Sequence, residues 1–195
     1  GISRAKAATL THLNKASVSS ITKTLLDNQL IIETGIGKSS SQGGRKPIQL
    51  TFKEKAGISV AFDIGYNYLT GLMTYLNGEK IAVIAKKNTI SKDTILQELD
   101  TVFQQLKAQE PQTFHGIVGI SVAIHGIVSQ DQIKFTPYYD LDKIDLKKAL
   151  EEKYNLPIFI ENEANLTAIG EYCFSTTEQN VASVSIHSGI GAGLV

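Results

Sequence analysis

Two sets of side chains in this 195-residue chain have the types and spacing to do chemistry. Near the N-terminus Lys15, Ser17, Ser19, Ser20 and Lys23 crowd into one short segment, and Lys38, Arg45 and Lys46 follow in a stretch rich in glycine and serine. Short hydroxyl side chains can enter a major groove and reach base edges or phosphates, while lysine and arginine neutralise phosphate charge. Much further along, Glu161-Asn162-Glu163-Ala164-Asn165 sets carboxylates around an amide. Asn162 offers a donor and an acceptor and Glu163 accepts from a hydroxyl, a combination that suits a hydroxyl-rich ligand. The same pair also reads as the cap of a helix beginning near Glu163.

The elements that must position the first set follow from local signals. Ser3 predicts the cap of a short helix reaching Leu10, built from strong helix formers. Asn14 predicts the cap of a second helix, Lys15 to about Asn28, whose Val18, Ile21, Leu25 and Leu26 recur at three-to-four spacing and are expected to be its buried face. The polar set takes the opposite face. Leu30 to Ile32 and Ile48 to Phe52 predict two strands joined by a long tip that carries Lys38, Arg45 and Lys46 and whose glycines and serines cannot pack a core. Helix, tight turn, helix and basic wing in this order predict a winged helix-turn-helix over residues 1–52, lacking the helix that normally precedes the pair. A helical hairpin with a solvated basic loop is the alternative.

Charge supports a division of labour. Residues 1–50 hold 7 Lys+Arg against 2 Asp+Glu and the rest 12 against 17, so +5 and −5 sum to the net zero of the whole. A basic head on an acidic body is expected of a DNA-binding module joined to a small-molecule domain. No apolar run is long enough to span a bilayer, and the first residues lack the pattern of a secretory leader, so a cytoplasmic protein with no membrane partner is expected. The single cysteine, Cys173, excludes an internal disulfide and a cysteine-rich zinc site.

The body, residues 53–195, reads as α/β. Ile58 to Asp63, Tyr68 to Leu76 and Glu79 to Asn88 predict three adjacent antiparallel strands, with Asn77-Gly78 as a hairpin turn. Ser91 predicts the cap of a helix to about Gln109, with Ile95, Leu96, Leu99, Val102, Phe103 and Leu106 buried. Gly116 to Ile124 is a nearly continuous apolar run, expected to be a central strand covered on both sides. Helices over Asp145 to Tyr154 and Glu163 to Phe174, and strands over Pro157 to Ile160 and Val181 to Ile186, complete the pattern.

Asp63-Ile64-Gly65 after a strand, Gly119 through Gly126 with Val128, Glu161-Asn162-Glu163-Ala164-Asn165, and Ser188-Gly189-Ile190-Gly191-Ala192-Gly193 occur in the order and spacing of the ROK family, which groups sugar kinases with sugar-responsive repressors. Gly43-Gly44-Arg45-Lys46-Pro47 resembles the wing-to-body junction of its repressor branch. The resemblance implies a winged helix-turn-helix followed by an actin-like (ribonuclease H-like) lobe of sugar-kinase type, with the second lobe only begun before Val195. It implies a homodimer on double-stranded operator DNA, a small sugar effector such as xylose, and a structural zinc held in the part of the protein beyond this chain, with no cofactor in the chain itself.

Three departures from the kinase pattern predict a protein that is not an enzyme. Tyr66-Asn67-Tyr68 stands where a kinase of the family would carry Gly-Thr-Lys, so ATP phosphates would meet bulk and lose donors; Asp63 then becomes either a remnant or a structural carboxylate. Glu163 replaces the aspartate that serves as general base, and one extra methylene shifts the carboxylate by roughly an ångström, a displacement that costs ~10²-fold in rate. His187-Ser188 replaces the Gly-Thr before the last glycines. His125 occupies the position of a usual proline, either lining the sugar pocket beside Asn162, Glu163 and Gly191 or buried and satisfied by backbone.

Overall fold

The computed structural model describes residues 1–36, 47–87, 90–175, 178–186 and 189–195, arranged in two compact units, Gly1–Ala56 and Gly57–Val195. In the first, β1 (Ile2–Ser3), α1 (Arg4–Thr11), α2 (Lys15–Asp27), β2 (Ile31–Ile36) and β3 (Ile48–Phe52) follow one another. Ser3 closes β1 and also caps α1, its hydroxyl accepting from the Lys6 amide, and Asn14 caps α2 by accepting from the Ser17 amide. Between the helices His12 takes the left-handed φ of 57° that a tight turn requires. The strands form an antiparallel sheet in the order β1-β3-β2.

Two expectations need correction in this unit. The buried face of α2 runs through Val18 and Thr22, with Leu25 and Leu26 partly covered, while Ile21 is 48% exposed. Ile21 lies three residues from Val18, and the stripe follows the next turn at i+4 instead, so a hydroxyl takes the inner position. The first strand of the hairpin extends beyond Ile32 to Ile36, and β1 joins the other edge of β3, a pairing with no local sequence signal. Lys38, Arg45 and Lys46 lie outside the described residues.

The second unit contains β4 (Ile58–Ile64), β5 (Tyr68–Tyr75), β6 (Lys80–Lys87), α3 (Ile95–Lys107), β7 (Ile117–Ile124), β8 (Ile127–Ser129), β9 (Gln132–Phe135), a 3-10 turn (Leu141–Lys143), α4 (Leu146–Tyr154), β10 (Ile158–Asn162), α5 (Glu163–Phe174), β11 (Ala182–Ile186) and β12 (Ile190–Leu194). Its main sheet is mixed, in the order β10-β7-β4-β5-β6: β4, β5 and β6 are antiparallel neighbours, while β4, β7 and β10 run parallel. Period-two alternation sends Val60, Phe62, Ile64, Ile120, Val122 and Ile124 to one face, where they pack with Leu99, Val102 and Leu106 of α3. Here β7 departs from the expectation of cover on both sides. Its Ile120, Val122 and Ile124 are buried, but Gly119, Ser121 and Ala123 opposite are only half-buried and Val118 is exposed.

Ser91 does not cap α3. The helix starts at Ile95, and the Ser91 hydroxyl shares a hydrogen bond with that of Thr94 in the preceding turn. The β8–β9 hairpin was not expected; its turn puts Gln130 and Asp131 at φ 53° and 57°, a conformation usually signalled by glycine or asparagine. Asp131 pins the hairpin by accepting from the Ile160 amide of β10 and from Lys147 of α4.

Candidate functional site

The parallel strands β4, β7 and β10 end level with one another: Ile64 pairs Ile124, and Ile124 pairs Asn162. In open α/β sheets ligands bind beyond the carboxyl ends of the strands, where chain direction leaves a crevice. That register gathers Asp63, His125 and the consecutive Asn162 and Glu163 from three distant parts of the sequence.

Hydrogen bonds join Tyr68, Asp63 and His125. The Tyr68 hydroxyl donates to Asp63 Oδ2 at 3.1 Å, and His125 Nε2 lies 3.1 Å from both Asp63 Oδ1 and the Tyr68 oxygen. His125 Nδ1 points the other way, 3.8 Å from Glu163 Oε1. Tyr68 reaches this position because β5 folds back over Gly65, where a side-chain carbon would come within 2.0 Å of the tyrosine ring. Burial, followed by the Asp63 charge, pushes the Tyr68 phenol up to about 12, so it stays a donor at neutral pH. The hydrogen bond to Asp63 raises the His125 imidazole above its ordinary 6.5, against a smaller opposing effect of burial. The Tyr139 hydroxyl closes the floor by donating to the Ile64 carbonyl at 2.6 Å, and burial drives this phenol up as well.

Asn162 is committed to the fold. Its Oδ1 accepts from the amides of Ala164 and Asn165, and its Nδ2 donates to the Gly126 carbonyl at 2.8 Å. The helix-cap reading is therefore realised, and the amide's remaining capacity toward a ligand is one N–H. Glu163 differs. Its Oε2 is buried and has no hydrogen-bond partner among the described residues. Gly191 of β12 packs directly on it, since a side-chain carbon there would stand 2.8 Å from Oε1.

A cavity of about 260 Å³ lies here, lined by His125, Gly126, Tyr138, Asn162, Glu163 and Gly191 among others. A larger hollow of about 460 Å³ lies beside β9 and α4, but its Asp131 and Lys147, and its Asp142 and Lys143, are paired with each other. The smaller cavity is the better candidate, because it holds the buried oxygen that has no donor among the described residues.

All four residues expected at a small-molecule site thus line one cavity, and His125 is held by side chains, not by backbone as the alternative had it. Tyr68 and Tyr139 were missed as members of the site. Tyr68 was legible only as an obstacle, and nothing local marks Tyr139, whose partner lies 75 residues away. His187 and Ser188 lie outside the described residues. In the first unit Lys15, Ser19, Ser20 and Lys23 are exposed on α2, with Ser17 half-buried at its capped end and the Ser19 hydroxyl donating back to the Lys15 carbonyl. No described helix is long and apolar enough to cross a membrane.

The mixed sheet and the crevice at its parallel strand ends define an actin-like fold of sugar-kinase type, and residues 59–195 match the ROK family, to which the chain belongs. The xylose repressor of Bacillus subtilis is 40% identical over 202 residues, covering all of this chain and 51% of its own length. A ROK family transcriptional regulator, described as a homologue of the Escherichia coli MLC protein, superposes with a TM-score of 0.82 at 28% identity over the whole chain and half of its own. A ROK glucokinase from Streptomyces griseus, solved with glucose and AMPPNP, shares the fold at TM-score 0.63 and 21% identity over 71% of this chain and 44% of its own. The chain spans about half the length of the curated relatives it matches.

Proposed function

We propose that the chain is the DNA-binding head and first lobe of a sugar-responsive transcriptional repressor. Residues 1–52 act as a winged helix-turn-helix in which α2 enters the major groove through Lys15, Ser17, Ser19, Ser20 and Lys23, while Lys38, Arg45 and Lys46 on the wing contact phosphates. In a homodimer two such heads sit about one DNA turn apart on a palindromic operator. A small sugar such as xylose enters the cavity at the strand ends, where Glu163 accepts from a hydroxyl and His125, Asn162 and Gly191 shape the wall. Closure of the lobes on the sugar changes the spacing of the heads and weakens DNA binding. The observation that carries this reading is the buried Glu163 Oε2, which has no hydrogen-bond partner among the described residues and calls for a donor that a sugar hydroxyl would supply. The names of the relatives, each a xylose repressor, support it.

Kinase chemistry is lost in this reading. The Tyr68 ring lies over Gly65, in the turn where a phosphate-binding loop needs open backbone donors, and its hydroxyl is bound to Asp63. The zinc implied by the family resemblance would be held beyond this chain: among the described residues Cys173 is exposed, and no group of three or more His, Cys, Asp or Glu side chains is placed to hold a metal ion. No step passes through it.

The test is fluorescence anisotropy of the full-length protein on DNA from its own upstream region, titrated with xylose, glucose, N-acetylglucosamine and their phosphates. Release by one neutral sugar supports the reading. Tight binding indifferent to all of them would make the body a scaffold, and sugar-dependent ATP consumption would make it a kinase.

A further inference from the structure

We propose that His125 is the positioning residue for Glu163, and that the turn after β4 has been rebuilt, through Asp63 and Tyr68, to hold that histidine in place. This rests on the sugar-site reading for its ligand, but its geometry stands independently. Nε2 is within hydrogen-bond distance of two oxygens, Asp63 Oδ1 and Tyr68 Oη, while the Tyr68 proton is given to Asp63 Oδ2. Nε2 therefore carries a hydrogen. A neutral ring would then present a bare Nδ1 to the Glu163 carboxylate 3.8 Å away, two acceptors facing each other. The conflict is relieved when Nδ1 is protonated too, giving an imidazolium held between Asp63 on β4 and Glu163 on α5. The gap is also too long for a direct hydrogen bond and the right order for a hydroxyl to bridge, accepting from Nδ1–H and donating to the carboxylate.

The other titratable groups around the ring agree. Tyr68 from β5 and Tyr139 beyond the 124–126 turn are phenols raised by burial and remain neutral, so the two carboxylates are the charges described around His125. Tyr68 thus has a second consequence besides blocking phosphates: it and Asp63 form the bracket that fixes the histidine ring.

Selective histidine labelling of the full-length protein and a nitrogen-resolved NMR titration test this directly. His125 should titrate above its ordinary value in the wild type, and fall in Glu163→Gln and further in Asp63→Asn. Sugar affinity, measured across the same pH range, should strengthen as His125 becomes protonated and lose that inflection in His125→Gln, with binding weakened about tenfold or more. A His125 titration unmoved by Glu163→Gln overturns the proposal. If the titration behaves as described while no sugar perturbs the His125 signal, the bracket stands and the sugar-site reading falls.

Discussion

Along α2, Ser19, Ser20 and Lys23 stand in solvent, held only by the helix they belong to, whereas at the ends of β4, β7 and β10 Asp63, Tyr68, His125 and Asn162 are each tied to a neighbour from another element. The difference extends to the units around them. In the first, Val18, Thr22, Leu50 and Ala56 are the buried residues among those described; in the second a continuous core runs from Ile58 to Ile160. A surface of independent side chains responds to substitution in small additive steps, while a cavity of mutually bonded groups responds as a unit.

The sharpest break between the regions is in stability. Phe62→Ala, at a fully buried position of β4, is expected to cost ~3–5 kcal/mol, whereas Ile21→Ala on half-exposed α2 stays within about 1 kcal/mol. Chemical denaturation of the full-length protein separates the two; equal losses would remove the contrast. Next in size, Glu163→Gln should weaken sugar binding by roughly 1.5–3 kcal/mol and leave operator affinity in the absence of sugar unchanged, as read by calorimetry and anisotropy. Asn162→Ala removes the cap of α5 and the bond to Gly126, a loss of ~1–2 kcal/mol in a thermal melt.

The pH dependence of stability differs as well. Because the folded state raises His125 above its ordinary 6.5, its stabilising contribution is whole below about pH 6.5 and is lost as pH rises through the folded value. His125→Gln should flatten that part of a stability profile, and no such step is expected from α2. The smallest effects belong to the basic side chains. Lys23→Ala, or alanine at Lys38, Arg45 or Lys46, should weaken operator binding across sequences and reduce the slope of log affinity against log salt by about 1 each. An unchanged slope would take that residue out of the interface.

The sequence made the capped helices plain. Asn14 and Asn162 each sit before a helix that begins at the next residue, because a side-chain acceptor for the first free amides is a local device that needs no partner from elsewhere. Ser91 misled for the same reason, since a second hydroxyl three residues later competed for it. What stayed hidden depends on distance in the chain. β1 is two residues long and exists through its pairing with Leu50 and Gln49, and the β8–β9 turn uses Gln130 and Asp131 where an Asn-Gly would have announced it. In the cavity, Asn162, Glu163, His125 and Gly191 could be named from motif and residue type, but that Tyr68 holds His125 across 57 residues follows only from the level ends of β4 and β7.

Coupling between the two regions is the central claim, and linkage makes it measurable from either side. The most direct measurement is the affinity of the full-length protein for its releasing sugar, taken once in the free protein and once saturated with operator DNA. The account predicts weaker sugar binding on the operator by about 5- to 150-fold, the reciprocal of the sugar's effect on DNA. Equal affinity in the two states would contradict it.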